Sequence, residues 1–255
     1  MPGLRGAFRL QLQIVAADRG YLNEILANPF FAVIFLGVVR AAHREDLTSF
    51  AVVAPVLITL WAMSLEISGD IIDSDRGVGI LEGVVATSVG LPTVVWGRVL
   101  AVTLLSGIAV AETWLVARVG FGADIVIHHP TVFGATLVAT VLATAATASV
   151  MAGVFVMART ARTFQNTMNF PVYLLAGVIV PVSFLPEWVR PVSRLIFLSW
   201  SADLLRASLS PQPVVDVVPK LVAILLLGTA GALLGRVALR VVLHRVRSLG
   251  TLGFE

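Results

Sequence analysis

Apolar positions in this chain gather into six long runs, at about 25–39, 48–67, 93–117, 131–158, 170–186 and 221–243. The first run, ILANPFFAVIFLGVV, carries no charge but is short for a hydrocarbon layer of ~30 Å. Its Asn28-Pro29 pair predicts a helix start there, since proline suits a first turn. The second run is uncharged until Glu66, and the third has Arg98 near one end and Glu112 near the other. The fourth is 28 residues without a charge, and the sixth ends on Arg236 and Arg240. Such runs predict an all-α polytopic membrane protein with six transmembrane helices. Ahead of them, Leu4, Phe8, Leu12 and Val15 fall at helical spacing. Residues 1–24 therefore read as an amphipathic helix on the membrane surface, and 25–255 as one transmembrane domain. Between the last two runs, about 187–219, the apolar stretch LIFLSW is too short to cross and is flanked by arginine and proline. It reads either as a surface loop or, as favoured here, as a re-entrant helical hairpin in the outer leaflet. Re-entrant backbone is tolerated only when buried in protein or lining a cavity.

Composition supports the pattern. Hydrophobic residues make up 58% and charged residues 13%, against ~25% charged in an ordinary globular domain. That excludes a soluble enzyme, a disordered chain and a nucleic-acid binder. The net charge of +3 comes from 18 basic residues, of which only Lys220 is lysine. Six spans put both termini on one side. With the termini inside, eleven of the 18 basic residues fall on the cytoplasmic flanks, in accord with the positive-inside rule. The heavy use of Ala, Val, Gly and Arg fits a GC-rich bacterial genome, hence a bacterial plasma membrane. There is no cysteine, so disulfides and thiolate metal sites are absent. The N-terminus shows no apolar core followed by a small-residue cleavage site, and no signal peptide is expected.

Candidate chemistry is sparse. The segment 68–92 is acidic on the side where basic residues are preferred, with Asp70, Asp73, Asp75, Arg76 and Glu82 among apolar positions. It reads as a short amphipathic helix broken near Gly77 and Gly79, either a solvated loop or a docking element for a cytosolic partner. Glu66 and Glu112 are intramembrane carboxylates, each costing ~2.5 kcal/mol or more at a span centre. They are candidates for a substrate or proton site, or for structural carboxylates; Arg118 is a headgroup-level partner in reach of Glu112. Arg98 reads as an anchor at the cytoplasmic end of its span. The many Gly and Ala of the fourth span predict close helix packing. His128-His129 alone makes a poor metal site, and no serine, histidine and acid set assembles, so neither a metal nor a catalytic residue is assigned. No G-x-x-x-x-G-K-[ST] occurs, so this chain has no Walker-type phosphate cradle.

One motif goes further. Residues 73–88 read D-S-D-R-G-V-G-I-L-E-G-V-V-A-T-S. This resembles the cytoplasmic pattern E-R-E-x-G-T-L-E-x-L-x-x-T-P of ABC-2 type ABC transporter permeases. Asp75, Arg76, Gly79, Leu81, Glu82 and Thr87 match; Gly77, Ile80 and Ser88 depart. Pro186, Trp188, Val189, Arg190, Trp200 and Arg206 resemble the same family's outer segment. The nearest flavour is that of daunorubicin-resistance-type drug or lipid exporters, with polysaccharide and teichoic-acid exporters sharing the architecture. The resemblance implies a permease subunit that exports a hydrophobic or amphipathic compound. It implies a coupling helix after the second span, with Asp73, Asp75, Arg76, Gly79, Leu81 and Glu82 contacting the ATPase. It implies two partners, an ABC ATPase subunit that holds ATP and Mg and a second permease protomer, identical or homologous, with the route between protomers and motion passed to spans 1, 2 and 5. No cofactor is implied in this chain. An ion-coupled secondary transporter is the rival class, and Glu66 and Glu112 are too few and too peripheral to favour it.

Overall fold

The computed structural model describes residues 2–17, 19–77, 91–155 and 161–249. All regular structure among them is helical. In chain order the helices are α1 (Pro2–Ala17), α2 (Arg19–Ala41), α3 (Thr48–Gly77), α4 (Leu91–Leu105), α5 (Ile108–Leu115), α6 (Pro130–Phe155), α7 (Ala161–Leu175), α8 (Arg190–Arg194), α9 (Phe197–Leu209) and α10 (Val217–Leu249). A π-helical turn, Val116–Gly120, extends α5, and a one-turn 3₁₀ helix precedes α3.

Among the described residues, four stretches are long and apolar enough to cross a membrane: Thr48–Leu65, Thr93–Gly120, Pro130–Ala148 and Val217–Val237. A fifth apolar stretch, Leu26–Ala41, is shorter. The expected break at Asn28-Pro29 is absent. α2 starts at Arg19 and carries Pro29 inside it. Residues 19–24 therefore belong to α2 rather than to the amphipathic helix.

The expected fifth span, 170–186, is not one helix. α7 stops at Leu175, and the chain turns at Gly177, whose φ is +69°. The Val178 N–H donates to the Tyr173 carbonyl at 3.0 Å and the Gly177 N–H to that of Leu174 at 3.1 Å. This is a Schellman stop, and glycine supplies its left-handed residue without steric cost.

The hairpin after α7 is re-entrant. Phe197, at the start of α9, packs on Trp61 of α3 with ring centroids 6.2 Å apart. At the other end of α9, the Leu209 carbonyl lies 3.0 Å from the His128 ring. The 13 residues of α9 cover about 20 Å, from the bundle's interior to its rim. We call that rim, which also holds 42–47 and 121–129, the hairpin end, and the opposite one the terminal end.

α3 lies at the centre: 72% of its spanning window is buried, against 11% for α10. Leu57, Leu60 and Leu65 of α3 meet Leu198, Leu204 and Leu205 of α9 in the core. Lipid is as apolar as these side chains, so packing and internal hydrogen bonds must hold the helices together. Among the described helices, α6 and α10 pack in close contact. A Cβ on Gly228 would lie 2.7 Å from Cα and Cβ of Ala143, which bears out the small-residue reading of this span. α1 packs on α4 just as closely, since a Cβ on Gly97 would sit 2.9 Å from Ala7 Cβ. Its buried face is Ala7, Gln11 and Val15, whereas Leu12 is turned outward with Leu10.

Gly228→Leu should therefore lower thermal stability, by about 1–3 kcal/mol for overpacking. Gly134→Leu, on the same α6 with open space around it, should leave the melting temperature of the detergent-solubilised protein near the wild-type value.

Candidate transport groove and coupling helix

An apolar span tolerates a primary amide only where its donors and acceptor find partners. Asn28 of α2 is fully buried. Its Oδ1 accepts from the Thr59 hydroxyl of α3 at 2.9 Å. Its Nδ2 donates to Glu112 Oε2 at 3.0 Å, to the Ala109 carbonyl at 3.2 Å and to Thr113 Oγ1 at 3.2 Å, all on α5. Two protons serve three acceptors, so at least one bond is shared. An amide of this kind left unpaired would cost roughly 2–7 kcal/mol. The node therefore fixes α2, α3 and α5 against one another at one depth.

This geometry reassigns Glu112. Its partner is Asn28, not Arg118. Six residues along a helix place two side chains about 120° apart around the axis. Arg118 instead lies over Trp114, 5.4 Å from the ring centroid, and 3.8 Å from Asp124. Arg98 is reassigned too. It is buried rather than reaching a headgroup, and its Nε donates to Gln11 Oε1 at 2.8 Å, tying α4 to α1. Asn28 itself was missed as a site residue in the sequence reading; a lone amide in an otherwise apolar run was the available signal.

Beside the node, α2, α3 and α7 enclose a groove of about 500 Å³. Phe31 and Phe35 line it from α2, Ile58, Ala62 and Met63 from α3, and Phe170 and Tyr173 from α7. The Tyr173 hydroxyl donates to the Ile58 carbonyl at 3.3 Å. Asn28, Thr59 and Asn169 are the polar groups of its wall. Asn169 Oδ1 is buried with no partner among the described residues. Phe170 is 74% exposed and Phe31 41%, so the groove opens sideways across an apolar face. A site of this kind takes an apolar or amphipathic molecule and orients it with few hydrogen bonds.

The groove and the acidic motif share one helix. α3 does not stop at 67 but runs unbroken through Gly77. Its 30 residues measure about 45 Å, well beyond a ~30 Å hydrocarbon layer. Asp73, Asp75 and Arg76 thus ride on the last turns of the helix that lines the groove with Ile58, Ala62 and Met63. Glu66 is on that helix between the two. The side chains of Glu66, Asp73, Asp75 and Arg76, and all of Gly79, Leu81 and Glu82, lie outside the described residues.

Compared with known families, residues 11–210 match the ABC-2 type transporter family. The chain belongs to that family. The match takes in the polar node, the groove, the acidic motif and the re-entrant hairpin. This permease is thus the membrane subunit of an ABC-type transporter, a multi-pass protein that is not itself catalytic and works with a nucleotide-binding partner. Among curated proteins none matches the chain.

The node yields a double-mutant prediction. Asn28→Leu and Glu112→Leu should each lower the melting temperature of the permease, and the double variant should lose less than the sum. Intramembrane cycles average a coupling of about 0.6 kcal/mol with a maximum near ~1.7. Strict additivity in the same detergent would mean that the two side chains do not act on each other.

Proposed function

We propose that this permease exports a hydrophobic or amphipathic compound (a drug, lipid or lipid-linked product) across a bacterial plasma membrane, driven by ATP hydrolysis on a separate ATPase subunit. The compound enters the groove between α2, α3 and α7, which a second permease protomer completes. Asp73, Asp75, Arg76, Gly79, Leu81 and Glu82 dock on the ATPase, with both termini on the cytoplasmic side and the hairpin end outside. One observation carries the reading: the helix that lines the groove is the same helix that presents the first half of the coupling motif.

The proposed cycle follows from that continuity. ATP closes the ATPase pair and displaces the coupling segment. A helix resists bending wherever its backbone bonds are intact, so displacement at Asp73 to Arg76 reaches Met63 and Ile58 as a tilt of α3. The tilt changes the width of the groove, and the polar node carries it to α2 and α5. Charged contacts at the motif set partner choice and on-rate more than affinity. Glu112 holds Asn28 in place rather than carrying protons. The apolar wall favours a greasy cargo over a sugar polymer, which would need many more hydrogen-bonding groups than Asn28, Thr59 and Asn169 offer.

Co-expression with the cognate ATPase tests this. Asp75→Arg and Glu82→Arg should reduce ATPase retention on the purified permease by at least about tenfold, because like charges facing each other at an interface are costly. Met63→Trp, which fills the groove, should instead keep the ATPase bound and abolish cargo-stimulated hydrolysis. Wild-type retention in both charge-reversed variants would refute the docking assignment; unchanged stimulation in Met63→Trp would refute the groove.

A further inference from the structure

At the hairpin end, away from the groove, a second cavity of about 380 Å³ is lined by Asp46, Thr48, Ser49, Asp124, His128 and Arg206. Arg206 is 8% exposed. Its Nη2 donates to the Val178 carbonyl at 2.7 Å, and its guanidinium carbon lies 3.8 Å from the Phe50 ring centroid. Its Nε is buried with no partner among the described residues. A carboxylate would normally satisfy such a group, yet among the described side chains each nearby carboxylate is engaged elsewhere. Asp203 binds Arg194 at 2.6 Å. Asp46 binds Arg44 at 2.8 Å, which holds its carboxyl below the usual carboxylate range. Asp124 faces Arg118 at 3.8 Å. The His128 ring is bonded to the Leu209 carbonyl. Arg206 is thus a buried cation, one of whose donors has no partner among the described residues, in the lining of a polar cavity. Unsatisfied buried donors call for an explanation, and a guanidinium is well suited to oxyanions.

The cavity has an apolar annex. Val52, Ile125 and Leu209 line both it and a crevice that reaches Val56, Trp114 and Phe133. The crevice holds about 30 Å³, room for about two methylene-sized groups. A cation beside an apolar slot, at the rim of a membrane bundle, matches a molecule with an anionic head and a hydrocarbon stem. We infer that this cavity binds a net-anionic amphiphile of the leaflet at the hairpin end, its oxyanion on Arg206 and the first carbons of its chain in the crevice beside Trp114. Binding there clips the re-entrant α9 to the 121–129 loop and to the start of α3.

Native mass spectrometry tests it on the full chain, released from phosphatidylcholine nanodiscs that contain phosphatidylglycerol. Wild-type protein should retain phosphatidylglycerol in preference to phosphatidylcholine. Arg206→Gln should reduce that retention about tenfold, the worth of one charge-assisted hydrogen bond, and Arg206→Lys should restore part of it. Ile127→Trp fills the crevice from a loop and leaves Arg206 in place; it should also reduce retention. Inorganic phosphate should not displace the lipid. Equal retention of both lipids, wild-type retention in Arg206→Gln, or displacement by inorganic phosphate with no effect of Ile127→Trp would each overturn the proposal. If Arg206→Gln does not yield monodisperse protein, Ile127→Trp decides: unchanged retention there overturns the site.

Discussion

A polar group placed in hydrocarbon must find its partner inside the protein, and in this permease several of those partnerships meet on α3. Thr59 bonds Asn28 of α2. Ser64 lies 2.8 Å from the Thr103 hydroxyl of α4. The Ile58 carbonyl accepts from Tyr173 of α7. Each bond is modest alone, since intramembrane hydrogen bonds contribute about 0.6 kcal/mol on average. Their value is positional. They set three neighbouring helices at one register around α3, and those of Thr59 and Ile58 lie in the wall of the groove.

The hairpin end is built differently. There the chain leaves helical geometry at Gly177, and the freed backbone groups are met by long cationic side chains. Arg206 caps the Val178 carbonyl, and Arg190 donates to the carbonyls of Ser183 and Leu185. Arg194 joins Asp203 and lies over Trp200, whose indole N–H donates to the Arg194 carbonyl. His129 lies 2.9 Å from the Gln212 carbonyl. Irregular backbone at membrane depth survives because the protein supplies these donors itself. The arginines that look like topology signals in a linear reading are largely structural clips here.

Most of the architecture was legible in the sequence, because uncharged runs of adequate length have few alternatives to a spanning helix. The re-entrant hairpin was legible too, from an apolar stretch too short to cross. Element ends were harder. Pro29 looked like a helix start, yet a proline inside a membrane helix is tolerated when neighbouring groups satisfy the freed backbone. The stop at Gly177 was written in the glycine followed by Pro181, but an unbroken apolar run masked it. The groove left no one-dimensional trace, since its wall joins the consecutive α2 and α3 to α7, far along the chain. The acidic motif was the reverse case: its residues stood out in the sequence, while their continuity with the groove became visible only when α3 proved to run on to Gly77.

That continuity is the centre of the account, and the absence of native cysteine makes it directly measurable. Spin labels at Ala62→Cys and Ser74→Cys would sit on one α3 beyond Pro55, 12 residues apart and hence separated by about 18 Å in an unbroken helix. Pulsed dipolar spectroscopy on the permease–ATPase complex, with and without a non-hydrolysable nucleotide, should give one narrow distance that does not change. A broad distribution, or a distance that shifts when nucleotide binds, would mean that α3 bends between groove and coupling segment and does not carry motion from one to the other.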